Sequence, residues 1–180
     1  MKKLLILLIL IAVAWYFWPA AKKSTPKADP TATTVGAGFQ PDASNATFTF
    51  DGESTTLVNG KAEATDAAVG LVTETELLDE RAYGDLNGDG KPDAVVLLSQ
   101  SGGGSGTFVY AAAFVSGPVG YKGSNAIFLG DRIAPQSISL SNNVATVKFL
   151  DRKPDESFAA EPTISVTKQF IYTQGEFKEK

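Results

Sequence analysis

The chain has 180 residues, a formal net charge of −4, and neither cysteine nor histidine. Those two absences exclude disulfides, cysteine nucleophiles, Ser-His-Asp catalysis and the usual Cys/His zinc sites. From Ala46 onward eleven Lys and Arg stand against eighteen Asp and Glu, a net of −7, which argues against nucleic acid as a partner and is compatible with cation binding.

The first element is the run "MKKLLILLILIAVAWYFWPAAKK". From Leu4 to Ala21 there are 18 uncharged, mostly apolar residues. As a helix they rise about 27 Å, close to the roughly 30 Å of a bilayer's hydrocarbon core. Trp15, Tyr16 and Trp18 stand where an aromatic belt would lie, and Pro19 ends the helix. Residues 1–21 are therefore expected to form a transmembrane anchor, with the membrane as one partner. The alternative is a cleaved signal peptide, with Ala12-Val13-Ala14 as its small-x-small site. Both place the remainder outside the cytoplasm, in the periplasm or at the cell exterior. Lys2 and Lys3 on one side and Lys22, Lys23 and Lys27 on the other hardly bias the orientation.

Residues 22–46 are rich in Pro, Thr, Ala and Gly and show no periodicity. They read as a flexible stalk reaching roughly 25–30 Å. From Thr47 the texture becomes that of strands. "TFTF" meets "ESTTLV" through Asp51-Gly52, and "TTLV" meets "KAEA" through Asn59-Gly60, both hairpin dipeptides. Segments 94–100, 107–115, 125–130, 137–141, 144–150 and 163–173 read as further strands, with Asn142-Asn143 as another turn. In 163–173, Ile164, Val166, Phe170 and Tyr172 share one face, with Lys168 near its rim. Thr65 to Val72, or part of Glu74 to Arg81, is the one place for a helix, although "LVTETELL" alternates well enough for a strand. The expected fold is mainly β, an antiparallel sandwich or open barrel of about eight strands over residues 47–180.

Within this domain lies "DLNGDGKPD". Calcium wants six to eight hard oxygen ligands. With Asp85 at position 1, Asn87 falls at 3, Asp89 at 5, Gly90 at the sharp turn, Lys91 at 7 with its carbonyl as ligand, and Asp93 at 9. Position 12, where an EF-hand needs a bidentate Glu, is Val96 inside an apolar strand. The loop is thus EF-hand-like without the EF-hand helices. It resembles the D-x-[DN]-x-D-G-x-x-D loops of FG-GAP/VCBS-type extracellular β repeats. That resemblance implies calcium ligation by Asp85, Asn87, Asp89, Asp93 and the Lys91 carbonyl. Those repeats come in arrays, and this chain has one copy. More broadly, "YGDLNGDGKPDAVVLL", "GGSGTFVY", "NAIFLGDRIAPQ" and "DRKPDE" resemble a small exported bacterial β domain. It occurs in lipoproteins and membrane-anchored proteins, sometimes beside META-type domains. This resemblance implies export and a β fold, and transfers no catalytic residue.

Three further features stand out along the chain. "SQSGGGSGT" lacks the Lys-Ser/Thr of a P-loop and reads as a hairpin connection, with an anion or glycan contact as the sharper alternative. Glu74, Glu76, Asp79 and Glu80 form an acidic run, from which Asp79 or Glu80 could lend a ligand. Asp131-Arg132 and Asp151-Arg152 each read as a salt-bridged turn, or else as an exposed ligand-facing Arg pair. Together these features point to a membrane-tethered extracytoplasmic calcium-stabilised β module, binding or structural and not an enzyme, with an unknown protein or glycan partner. The alternatives are an envelope hydrolase using carboxylates and an inhibitor or regulator of a partner protein.

Overall fold

The computed structural model describes residues 38–180. The expected anchor, residues 1–21, and most of the expected stalk lie outside the described residues. What is described is mainly β, with no helix. Twelve strands follow one another: β1 (Thr47–Phe50), β2 (Glu53–Thr56), β3 (Lys61–Asp66), β4 (Leu71–Gly84), β5 (Asp93–Gly102), β6 (Thr107–Ser116), β7 (Tyr121–Gly123), β8 (Ile127–Asp131), β9 (Ala134–Ser141), β10 (Val144–Asp151), β11 (Ile164–Thr173) and β12 (Glu176–Glu179).

They form a two-stranded hairpin β1-β2, a six-stranded sheet β3-β4-β5-β6-β7 in which β8 also pairs with β6, and a four-stranded sheet β12-β11-β10-β9. The paired strands are antiparallel throughout. Strand β5 explains the arrangement. Its first six residues, "DAVVLL", are all buried. Because side chains alternate across a strand, Val95 and Leu97 enter one core with Val147, Phe149, Phe170 and Phe177 of the four-stranded sheet. Ala94, Val96 and Leu98 enter a second core with Phe48, Phe50 and Leu57 of the hairpin region. A continuous apolar run is what a strand covered on both faces requires.

The structure departs from expectation in five places. The segment offered as a helix is β3, a turn and β4: Lys61 to Asp66 pairs residue for residue with Glu76 to Leu71. Asp66 closes the turn by accepting from the backbone N–H of Ala68 and Gly70. The strands number twelve instead of about eight. Strand β4 runs through a register shift between Leu77 and Arg81 and so extends well past the alternating "LVTETELL"; Leu77 and Leu78 enter opposite cores, as neighbours on a strand do. Strands β7 and β12 are too short to show a period. Asn59-Gly60 does turn, with φ of 52° and 83°, but β2 and β3 separate into different sheets after a single Val58–Lys61 bridge. Ala43 and Ala46, assigned to the end of the stalk, are buried in the second core. In β11, Val166, Phe170 and Tyr172 join the first core and Lys168 pairs with Glu179 at 2.9 Å, while Ile164 is exposed.

Candidate metal centre

The loop from Asp85 to Pro92 joins β4 to β5 and is curled by its own side chains. Asp85 Oδ1 accepts from the Gly88 N–H at 2.6 Å and Oδ2 from the Gly90 N–H at 2.9 Å. Asn87 Oδ1 accepts from the Asp89 N–H, and Asp89 Oδ1 from the Lys91 N–H, both at 2.9 Å. Such Asx turns are what short polar side chains do in place of a strand ladder. Gly88 and Gly90 take φ of 82° and 81°, a conformation that glycine adopts without steric cost.

Residues far away in sequence hold this curl in place. The side-chain amide of Asn143, in the β9–β10 turn, donates to the Asp85 carbonyl at 2.9 Å. Ser116, at the end of β6, makes a hub. Its hydroxyl donates to Asp89 Oδ2 at 2.7 Å, and its carbonyl accepts from Asn87 Nδ2 at 2.9 Å. Its N–H donates to Asp93 Oδ1 at 2.8 Å. Asp93 is 0% exposed, and its other oxygen accepts from the N–H groups of Leu86 and Asn87 at 2.8 and 3.1 Å. Three backbone donors thus compensate a fully buried carboxylate, which burial alone would penalise heavily. Tyr121 donates its hydroxyl to the Pro92 carbonyl at 2.9 Å, and its ring meets that of Phe39 at 5.8 Å.

Of the expected ligands, Asp85, Asn87 and Asp89 share the exposed curl, whereas Asp93 lies beneath it and secures both ends of the loop. Lys91 turns its ammonium outward, 4.0 Å from Asp89 and within 3.5 Å of the Gly117 carbonyl. The Ser116 hydroxyl, then the Lys91 N–H, hold the Asp89 carboxyl below its ordinary pKa. Burial, followed by the nearby Asp93 and Asp89 charges, raises the Tyr121 phenol. Among the described residues no three Asp, Glu, His or Cys side chains gather as a ready metal cluster. The donor chemistry nevertheless fits a hard divalent cation. Three carboxylates face one ammonium across nine residues. The oxygens of Asp85 and Asp89 accept one donor each, and a carboxylate has about four lone-pair positions. Sequence reasoning missed Ser116, Asn143 and Tyr121, which carry no local signal because their partners are 23 or more residues away.

The other sequence candidates resolve differently. Arg132 pairs with Asp131 at 2.9 Å and lies over the Phe158 ring at 4.4 Å. Arg152 makes no such pair with Asp151. Its guanidinium donates to the carbonyls of Ala160 at 2.7 Å and Arg132 at 2.9 Å, tying the 152–163 loop to the end of β8. The Arg132 guanidinium, followed by the Thr107 N–H, holds the Asp131 carboxyl below its usual range. In the acidic run Glu76 pairs with Lys61 at 2.9 Å, and Glu74 stands opposite Glu63. These line a depression of about 160 Å³, smaller than the roughly 300 Å³ of ligand-enclosing pockets. Gly102 and Gly103 pack against Val72 and Leu71 with no room for a side chain, so the glycine-rich segment closes the β5–β6 hairpin.

No protein-family model matches this chain, and neither a curated protein nor a solved structure does.

Proposed function

We propose that this protein is a calcium-stabilised β module with a binding or structural role, held outside the cytoplasm by its N-terminal apolar segment. On this reading the two larger sheets are an antiparallel sandwich and the 85–93 loop is its clasp. Asp85, Asn87, Asp89 and the Lys91 carbonyl hold the ion, and Asp93 fixes the loop beneath them. When bound, calcium supplies positive charge that offsets the loop's carboxylates. The observation that carries the reading is the joint itself. The loop belongs to β4 and β5, is fastened to β6 by Ser116, and is fastened to the β9–β10 turn of the other sheet by Asn143. An ion held there stiffens a junction of both sheets. Lacking a bidentate Glu, the site belongs with extracellular modules of roughly 10⁻⁴–10⁻³ M affinity, which matches an exported domain.

The test is thermal unfolding of the full chain in neutral detergent, with EDTA and with about 5 mM calcium, above that affinity range. Calcium is expected to raise the melting temperature, by the equivalent of about 2.7 kcal/mol if it reaches a hundredfold excess over Kd. The Asp89→Ala chain should melt at one temperature in both buffers. Equal melting of the wild type with and without calcium would discard the metal and leave a purely protein clasp.

A further inference from the structure

The outward face of the four-stranded sheet has a composition that its fold does not require. We infer that this face is a docking surface for an anionic polysaccharide, which adds a ligand class to the binding role proposed above. The inner residues of β9, β10 and β11 fill the first core, so their alternate residues form the outer face. Three cross-strand rows cross it, and each ends or centres on a lysine. Lys148 stands between Ser137 and Thr167. Thr146 stands between Ser139 and Gln169, and the Lys180 N–H donates to the Gln169 carbonyl at 2.9 Å. Lys178 stands opposite Ile171. All three lysines are exposed, and among the described residues none lies within ion-pair distance of a carboxylate.

The contrast with the rest of the chain gives this meaning. Nineteen acidic residues occupy the described region against eleven Lys and Arg, yet of the three in these strands Asp151 and Glu179 alternate to the opposite side, Glu179 pairing there with Lys168, and Glu176 at the hairpin end is left to this face. A sheet face of four strands and three rows spans roughly 14 Å each way. It offers ammonium groups at intervals, with hydroxyls and an amide between them. That alternation complements a polymer bearing spaced anions among hydroxyls. Nucleic acid fits less well, because the face has no aromatic ring on which bases could stack. A lipid surface also fits less well, because Val144 and Ile171 are the only apolar side chains in the rows and both are half-buried, leaving nothing to insert.

The experiment uses the full chain in neutral detergent with calcium present, and measures binding to immobilised dextran sulfate and to uncharged dextran. Binding is expected to dextran sulfate alone, and to weaken as NaCl rises from about 20 to about 300 mM. The triple variant Lys148→Gln/Lys178→Gln/Lys180→Gln should lose affinity about tenfold or more. Lys61→Gln/Lys122→Gln, elsewhere on the surface, should bind as the wild type does. Ser139→Ala/Gln169→Ala should weaken binding severalfold with an unchanged salt slope. The inference is overturned by no binding, by equal loss in the two lysine variants, or by equal lysine-dependent binding to oligo(dT) or to phosphatidylglycerol vesicles. Melting the same preparations with and without calcium reads the clasp separately, so either idea can fail without the other.

Discussion

The two ends of strand β5 lie roughly 30 Å apart and are built on opposite principles. At the Asp93 end, a buried carboxylate, the Ser116 hub and a self-curled acidic loop are bound by side-chain hydrogen bonds, one of which, from Asn143, crosses from the other sheet. At the Gly102 end, a glycine-rich hairpin closes beside the exposed side chains of Leu71, Val72, Phe108 and Phe128. There the Asp131 carboxylate, paired with its neighbour Arg132, accepts from the Thr107 N–H and ties the hairpin to β8. A charged loop must be over-determined because each unpaired polar group costs free energy. A glycine turn needs only an absence of side chains.

That contrast can be broken most severely at Asp93. Asp93→Ala leaves three buried or half-buried N–H groups without an acceptor and should cost about 3 kcal/mol or more, measured by urea unfolding. A loss under about 1 kcal/mol would mean that water replaces the carboxylate and that the junction is less dry than its geometry implies. Next comes Gly90→Ala, which forces a side chain into φ of 81° and should cost about 1–2 kcal/mol.

At the other end the expected effects shrink. Asp131→Asn should cost about 1 kcal/mol at neutral pH and alter the acid limb. The Asp131 carboxyl is held below its ordinary pKa by Arg132. Its contribution is therefore fully present above the unfolded value near 4 and is lost as pH falls through the lower folded value. Stability of the wild type should fall more steeply than that of the variant in this acid window, as measured by unfolding at successive pH values. Parallel curves would show that the pair adds nothing. Smallest of all is Gly104→Ala, where an added Cβ meets only the Gly102 carbonyl at 4.0 Å. Its effect should stay within about 0.5 kcal/mol, and a larger loss would show that the tip is as constrained as the clasp.

Much of this architecture was legible in the residues. The turn dipeptides Asp51-Gly52 and Asn142-Asn143 take the positive φ values they favour, and "AVVLL" is the doubly covered strand that its apolar run implies. These signals are local, since a backbone conformation or a two-residue alternation is written in adjacent residues. Strand β4 was half legible: "LVTETELL" alternates well enough to offer a strand beside the helix, but its continuation to Gly84 through the register shift between Leu77 and Arg81 carries no local signal. The Asp151-Arg152 pair was misread because Arg152 finds stronger company in the carbonyls of Arg132 and Ala160.

By itself, then, the sequence determined an all-β texture, an apolar N-terminal segment and a loop of acids and amides at EF-hand-like spacing, each carried by neighbours along the chain. The tertiary structure decided which sheets that loop joins. It also decided that Asp93 is a buried anchor, that Ser116 reaches it from 23 residues away, and that Asn143 reaches Asp85 from 58 residues away. Only folding gathered Lys148, Lys178 and Lys180 onto one face. Such contacts depend on which strands pair and in what register, and register is set by the packing of both cores together, which no short stretch of residues encodes.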